Sequence, residues 1–243
     1  AARILFDDLG DYRDAAERLL ACDYALGMDA FTQGDYEKAI PYLASAGDTQ
    51  DAQELYKQAS YQLAEQKRLE GDYEQAGKLY QQAGDYSDAK IRANGSLYEL
   101  ARERMEAKDY TKAAELFQSV SPYLDSETLG WECVYQQALA AATSGDDEHA
   151  VMLLSSIPKY EQAVELLKEC RYRLAAKMVD QGDRKTAIAL YDLLGNYEDA
   201  SARLSDLRYQ TAEEDFAAGN YETRCCFIRR WASTATARTS SSK

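Results

Sequence analysis

The stretch Gly71-Asp72-Tyr73-Glu74-Gln75-Ala76-Gly77-Lys78-Leu79-Tyr80-Gln81-Gln82-Ala83-Gly84 decides how the chain folds. It opens on a Gly-Asp-Tyr turn and closes on a second glycine. Between them Ala76, Leu79, Tyr80 and Ala83 are spaced to share one face of a short helix. The opening turn recurs at Gly34-Asp35-Tyr36, Lys108-Asp109-Tyr110, Gly145-Asp146, Gly182-Asp183 and Gly219-Asn220-Tyr221, always in steps of 37 residues. A small residue follows in phase at Ala39, Ala76, Ala113, Ala150 and Ala187. A second turn series lies at Gly10, Gly47, Gly84, Ser121, Pro158 and Gly195, also in steps of 37, and alternates with the first at gaps of 13 and 24. Its closing residues are Ala15, Ala52, Ala89, Ser126, Ala163 and Ala200. Repetition at this period predicts a unit of one long and one short helix, stacked about six times.

Both turns read as one device. Glycine closes a helix in the left-handed conformation without steric cost. The neighbouring Asp or Asn accepts from the free amides of the next helix. Three residues on, Gln75 or an acid such as Asp14, Asp51, Asp88 or Asp199 completes a pair resembling a capping box. Each turn therefore joins two antiparallel helices within about three residues.

The long helix, from Gln50 to Glu70 in the second unit, carries two apolar stripes. One runs through Ala52, Leu55, Ala59 and Leu63; the other begins at Tyr61 and Ala64. Two stripes predict packing on both sides. A tyrosine recurs at Tyr24, Tyr61, Tyr98, Tyr135, Tyr172 and Tyr209. Three residues later stands Gly27, Ala64, Ala101, Ala138, Ala175 or Ala212, small enough for two helices to approach closely.

Composition agrees with an all-helical chain. Among 243 residues there are three prolines, and no alternating Val/Ile-rich run suggests strands. The net charge of -14 argues against nucleic acid and against anionic membrane surfaces. No apolar stretch approaches the length of a membrane span. The first residues do not read as a signal peptide, so the chain reads as part of something longer. A soluble segment is expected, in the cytoplasm, or outside it if an upstream signal or anchor exists.

These residues resemble the tetratricopeptide repeat. Gly71-Asp72-Tyr73, Ala76, Tyr80 and Ala83 match its second-helix signature, and Ala64 stands at its small first-helix position. The resemblance covers residues 10 to about 222. It departs from the family in its longer period and its short second helix. It implies a right-handed α-solenoid over residues 1–222 that binds a protein or peptide along the concave face of its first helices. That face would hold the tyrosine column and the residues four and seven positions on: Tyr24 with Met28, Tyr61 with Glu65 and Arg68, Tyr98 with Arg102 and Met105, Tyr135 with Leu139, Tyr172, and Tyr209 with Glu213. The Lys and Asn clamp that some members use for C-terminal carboxylates is absent, because tyrosine holds that column.

Some positions break the pattern. Lys108 replaces a glycine expected to be left-handed, at a cost of about 1 kcal/mol. Ser121-Pro122 reads as an N-cap followed by proline at the first helical position. Pro41 is expected to kink a short helix, and Asn94-Gly95-Ser96 to weaken a long one. Residues 223–243, with Arg224 and Cys225-Cys226, fit no repeat column and read as a basic tail foreign to the repeat.

No catalytic chemistry is legible. His149 is a lone histidine expected to face solvent. Cys22, Cys133 and Cys170 share a column with Ala59, Ser96 and Leu207, which marks packing and not metal binding. No phosphate loop or nucleophile elbow occurs. The reading is a non-catalytic interaction scaffold without cofactor or metal, with no nucleic-acid partner. The alternative is a helical arm of a larger enzyme or membrane-anchored receptor.

Overall fold

The computed structural model describes residues 1–220. The tail and the copy opened at Gly219-Asn220-Tyr221 thus lie wholly or partly outside the described residues. Those residues form twelve α-helices and no strands. After α1 (Ala2–Leu9), long and short helices alternate: α2 (Ala15–Thr32), α3 (Tyr36–Ala46), α4 (Ala52–Leu69), α5 (Tyr73–Ala83), α6 (Ala89–Glu106), α7 (Tyr110–Val120), α8 (Ser126–Thr143), α9 (Asp147–Ser156), α10 (Ala163–Asp180), α11 (Arg184–Leu194) and α12 (Ala200–Ala217). Every long helix from α2 to α12 has 18 residues.

The chain divides into two compact units, Ala1–Val134 and the residues from Tyr135 onward, and the division falls inside α8. In the first unit each helix from α1 to α6 packs on its successor, and α2 also touches α4. In the second, α9 packs on α10, α10 on α11 and α11 on α12. One column fills the centre of these pairs: Leu43, Tyr80, Phe117, Leu154 and Tyr191 are all fully buried. Burial of an apolar side chain of this size contributes about 2 kcal/mol. The column three residues after the tyrosine is as tight as its small residues require. Ala64, Ala101, Ala138 and Ala175 are fully buried, and a Cβ on Gly27 would stand 2.8 Å from the Leu43 side chain.

The first joint is a Schellman motif fused to an N-cap. The Asp72 amide donates to Lys67 O at 2.9 Å and the Gly71 amide to Arg68 O at 3.2 Å, with Gly71 at φ 81°. The Asp72 carboxylate then accepts from the Gln75 amide at 3.1 Å. One aspartate therefore ends one helix and starts the next, three residues apart. Asp35, Asp109, Asp146 and Asp183 repeat this cap.

The second joint differs from the sequence expectation. It takes five residues, 47–51 between α3 and α4, and its glycine is not in the left-handed helical region: Gly84 has φ 61°, ψ -107°. The left-handed residue comes later and is not glycine: Arg13, Gln50, Ser87, Leu124 and Glu198 all have positive φ. Asp14, Asp51, Asp88 and Asp199 are themselves the N-caps, and none makes a capping hydrogen bond, so no capping-box pair forms there. Their carboxylates are engaged elsewhere, as described below.

Ser121 and Pro122 are likewise placed differently. Ser121 ends α7 in an extended conformation, Pro122 lies within the joint, and α8 begins at Ser126, so proline does not occupy a first helical position. α3 runs through Pro41, and α6 runs through Asn94-Gly95-Ser96 without interruption. Gly95 is useful there, because a Cβ would approach the Tyr123 hydroxyl to 3.2 Å.

Lys108 is left-handed as expected, at φ 61°, and keeps the Schellman bonds of its joint. Lys108→Gly is therefore expected to raise stability by about 1 kcal/mol. A higher urea midpoint at unchanged slope would register it, and an unchanged midpoint would refute it.

Candidate functional site

Four tyrosines of the column are tied down by their hydroxyls. Tyr24 donates to Asp51, Tyr61 to Asp88 and Tyr98 to Asp125, each at 2.6 Å, and Tyr172 donates to Asp199. Each bond spans 27 residues, from one long helix to the aspartate that opens the next. The ring is held as well. Tyr61 meets Tyr80 and Tyr86 edge-on at 5.6 and 5.4 Å; Tyr98 meets Phe117 and Tyr123; Tyr172 meets Tyr191 and Tyr197. Edge-to-face pairs of this kind add about 1 kcal/mol each beyond burial.

In the first unit a charged network grows from this clasp. Arg92 forks onto Asp88 through Nε at 2.9 Å and lies over the Tyr61 ring at 5.7 Å. Its Nη1 donates to Glu65 at 2.7 Å. Glu65 also accepts from Arg68 at 3.0 Å and from the Tyr80 hydroxyl. Burial opposes the charge on Glu65, but the bonds from Tyr80 and Arg68 and the Arg92 charge prevail and hold its carboxyl below the usual range. Burial, then the Glu65 bond, pushes the Tyr80 hydroxyl up to about 12.

Beside this network lies a cavity of about 510 Å³. Arg68 of α4, then Ile91, Arg92, Gly95, Ser96, Tyr98 and Glu99 of α6, line it together with Tyr73 and the joint residues Tyr123 and Leu124. Ile91 and Leu124 are 64% and 71% exposed, so the mouth is apolar while the wall carries two guanidiniums.

Of the residues picked out from sequence, Arg68 and Tyr98 line this cavity. Tyr61 and Glu65 belong to the adjoining network. Arg102 is half exposed and 3.5 Å from Glu99, one turn beyond the cavity. Met105 packs on the α6–α7 core and Met28 on the α3–α4 core. In the second unit Tyr135 meets Tyr160, Leu139 is 38% exposed, Tyr209 is 68% exposed and Glu213 is exposed. Ile91, Arg92, Tyr123 and Leu124 were not picked out. The constant 27-residue offset between tyrosine and aspartate was the available signal.

Cys133 and Cys170 are fully buried thiols, and burial pushes both up to about 11, out of the range of a reactive thiolate. His149 is exposed. Among the described residues no group of His, Cys, Asp and Glu could hold a metal ion, and no helix is long and apolar enough to cross a membrane. No protein-family model matches the chain, and no curated protein matches it.

The clasp predicts a pH profile. Tyr61 and Arg92 hold Asp88 below the ordinary carboxylate range, and Tyr172 and Arg203 do the same for Asp199. A depressed folded value gives stability that is present above about pH 4 and lost as pH falls through it. Tyr98 moves the other way: its bond to Asp125, then burial, pushes its hydroxyl up to about 12. That contribution is full below about pH 10 and is lost as pH climbs through 12. Urea midpoints measured across pH should form a plateau with a fall at each end. Tyr98→Phe should blunt the alkaline fall, and an unchanged alkaline limb would contradict the assignment.

Proposed function

We propose that this chain is a non-catalytic interaction module, a right-handed solenoid resembling tetratricopeptide repeats, that binds a protein or peptide along its long helices. The cavity beside Arg68 and Arg92 is the observation that carries the reading. Its size suits one or two side chains. Exposed Ile91 and Leu124 offer apolar contact at the mouth, and the arginines, already paired with Glu65 and Asp88, retain N–H donors such as Arg68 Nε for an acidic group within. An acidic segment with one or two large apolar residues fits that combination. The repetition itself adds support. The tyrosine column and the small-residue column three positions on are kept uniform, while positions four residues after each tyrosine vary from Met28 to Glu65, Arg102, Leu139, Ala176 and Glu213.

The test is selection of a displayed random-peptide library on the full chain, with each enriched peptide then measured against an Ile91→Glu, Leu124→Glu variant. Both substituted side chains are exposed, so folding is preserved, which circular dichroism checks. Enriched peptides rich in Asp or Glu with Leu or Phe, losing about tenfold or more in affinity on the variant, are expected. Peptides that bind the variant equally well, or no enrichment at all, would overturn the reading.

A further inference from the structure

Three repeat steps beyond the Glu65 network, the second unit carries the same frame with its carboxylate deleted. Tyr61, Tyr80, Asp88 and Arg92 correspond, each 111 residues on, to Tyr172, Tyr191, Asp199 and Arg203. The geometry is kept. Arg203 donates through Nε to Asp199 at 2.8 Å and lies over the Tyr172 ring at 5.4 Å, as Arg92 does over Tyr61. Tyr172 again meets the buried ring, here Tyr191 at 5.9 Å. The residue corresponding to Glu65 is Ala176.

The consequence falls on two donors. In the first unit Glu65 accepts from the Tyr80 hydroxyl and from Arg92 Nη1. In the second, Tyr191 is fully buried and no carboxylate accepts from its hydroxyl; the one polar group that approaches it is the Arg203 guanidinium, itself a donor. The Arg203 guanidinium lies near enough to interact with that hydroxyl, and Asp199 is the carboxylate that engages it. A buried hydroxyl whose proton has no acceptor is costly, and an added acceptor would remove that cost. The side is open to an incoming group, since Ala176 is partly exposed and the Arg203 side chain is 47% exposed.

We propose that the second unit binds a carboxylate from outside the chain at the position that Glu65 fills in the first, held by the Arg203 amino groups and the Tyr191 hydroxyl. The carboxylate belongs to a small organic acid or to an acidic side chain of a peptide. This site is independent of the cavity at Ile91 and Leu124, so either can fail alone.

The experiment titrates the full chain with sodium succinate and, separately, with the blocked peptide acetyl-Gly-Leu-Glu-Leu-Gly-amide, following the Arg203 Nε–H signal by NMR. A saturable shift with either probe is expected. Succinate alone would identify a small-acid site, and the peptide alone a side-chain site. Tyr191→Phe keeps the ring and should weaken binding about tenfold. Ala176→Glu supplies the carboxylate internally and should abolish the shift while raising the melting temperature. The absence of a saturable shift with both probes, or a shift undiminished in Ala176→Glu, would overturn the proposal.

Discussion

A single hydrogen bond, from the tyrosine of one long helix to the aspartate that opens the next, fixes how successive hairpins align within each unit. The Schellman joint turns α4 into α5 within three residues, and that alone makes a hairpin. It does not say where the next long helix begins. The five-residue second joint leaves that freedom, and the Tyr61–Asp88 bond removes it by pinning the middle of α4 to the first residue before α6. The rings at Tyr80 and Tyr86 then hold the tyrosine edge-on, so the hydroxyl has one place to point.

This explains an oddity of the caps. An aspartate before a helix ordinarily accepts from the helix's own amides. Asp72 does so, whereas Asp88 gives its oxygens to Tyr61 and Arg92. The two joints look alike in sequence but spend their acids differently, one on local capping and one on the neighbouring helix. The joint between α9 and α10 shows the rule by exception. Gln162 stands where the aspartate is expected, its side-chain oxygen accepts from Tyr160 at 2.6 Å, and Tyr160 meets the Tyr135 ring.

Much of the fold was legible because the 37-residue period constrains every column at once. α5 spans Tyr73 to Ala83 as its spacing predicted, and the small column at Ala64 and Ala101 is fully buried. The second joint was not legible, because glycine identity does not distinguish left-handed helical geometry from the positive-φ, negative-ψ region that Gly84 adopts. The left-handed residues Gln50 and Ser87 carry no glycine to announce them. At the candidate site, the tyrosines were readable as a column but their partners were not. Helical-face spacing groups residues four and seven apart, while the bonds that matter reach 27 residues along the chain. Tyr61 and Glu65 thus emerge as fastened within the first unit, and Ile91 and Leu124 as its exposed apolar residues. The exchange of Glu65 for Ala176 in one frame is likewise invisible until the frame's bonds are known.

The Tyr98–Asp125 pair offers the cleanest test of the clasp, because no arginine stands four residues after Asp125. A double-mutant cycle with Tyr98→Phe, Asp125→Asn and the pair, read by urea unfolding, isolates the bond from the ring packing. The account predicts a coupling of about 1 kcal/mol. Strict additivity of the two substitutions would show that the hydroxyl contributes nothing to the alignment of the helices.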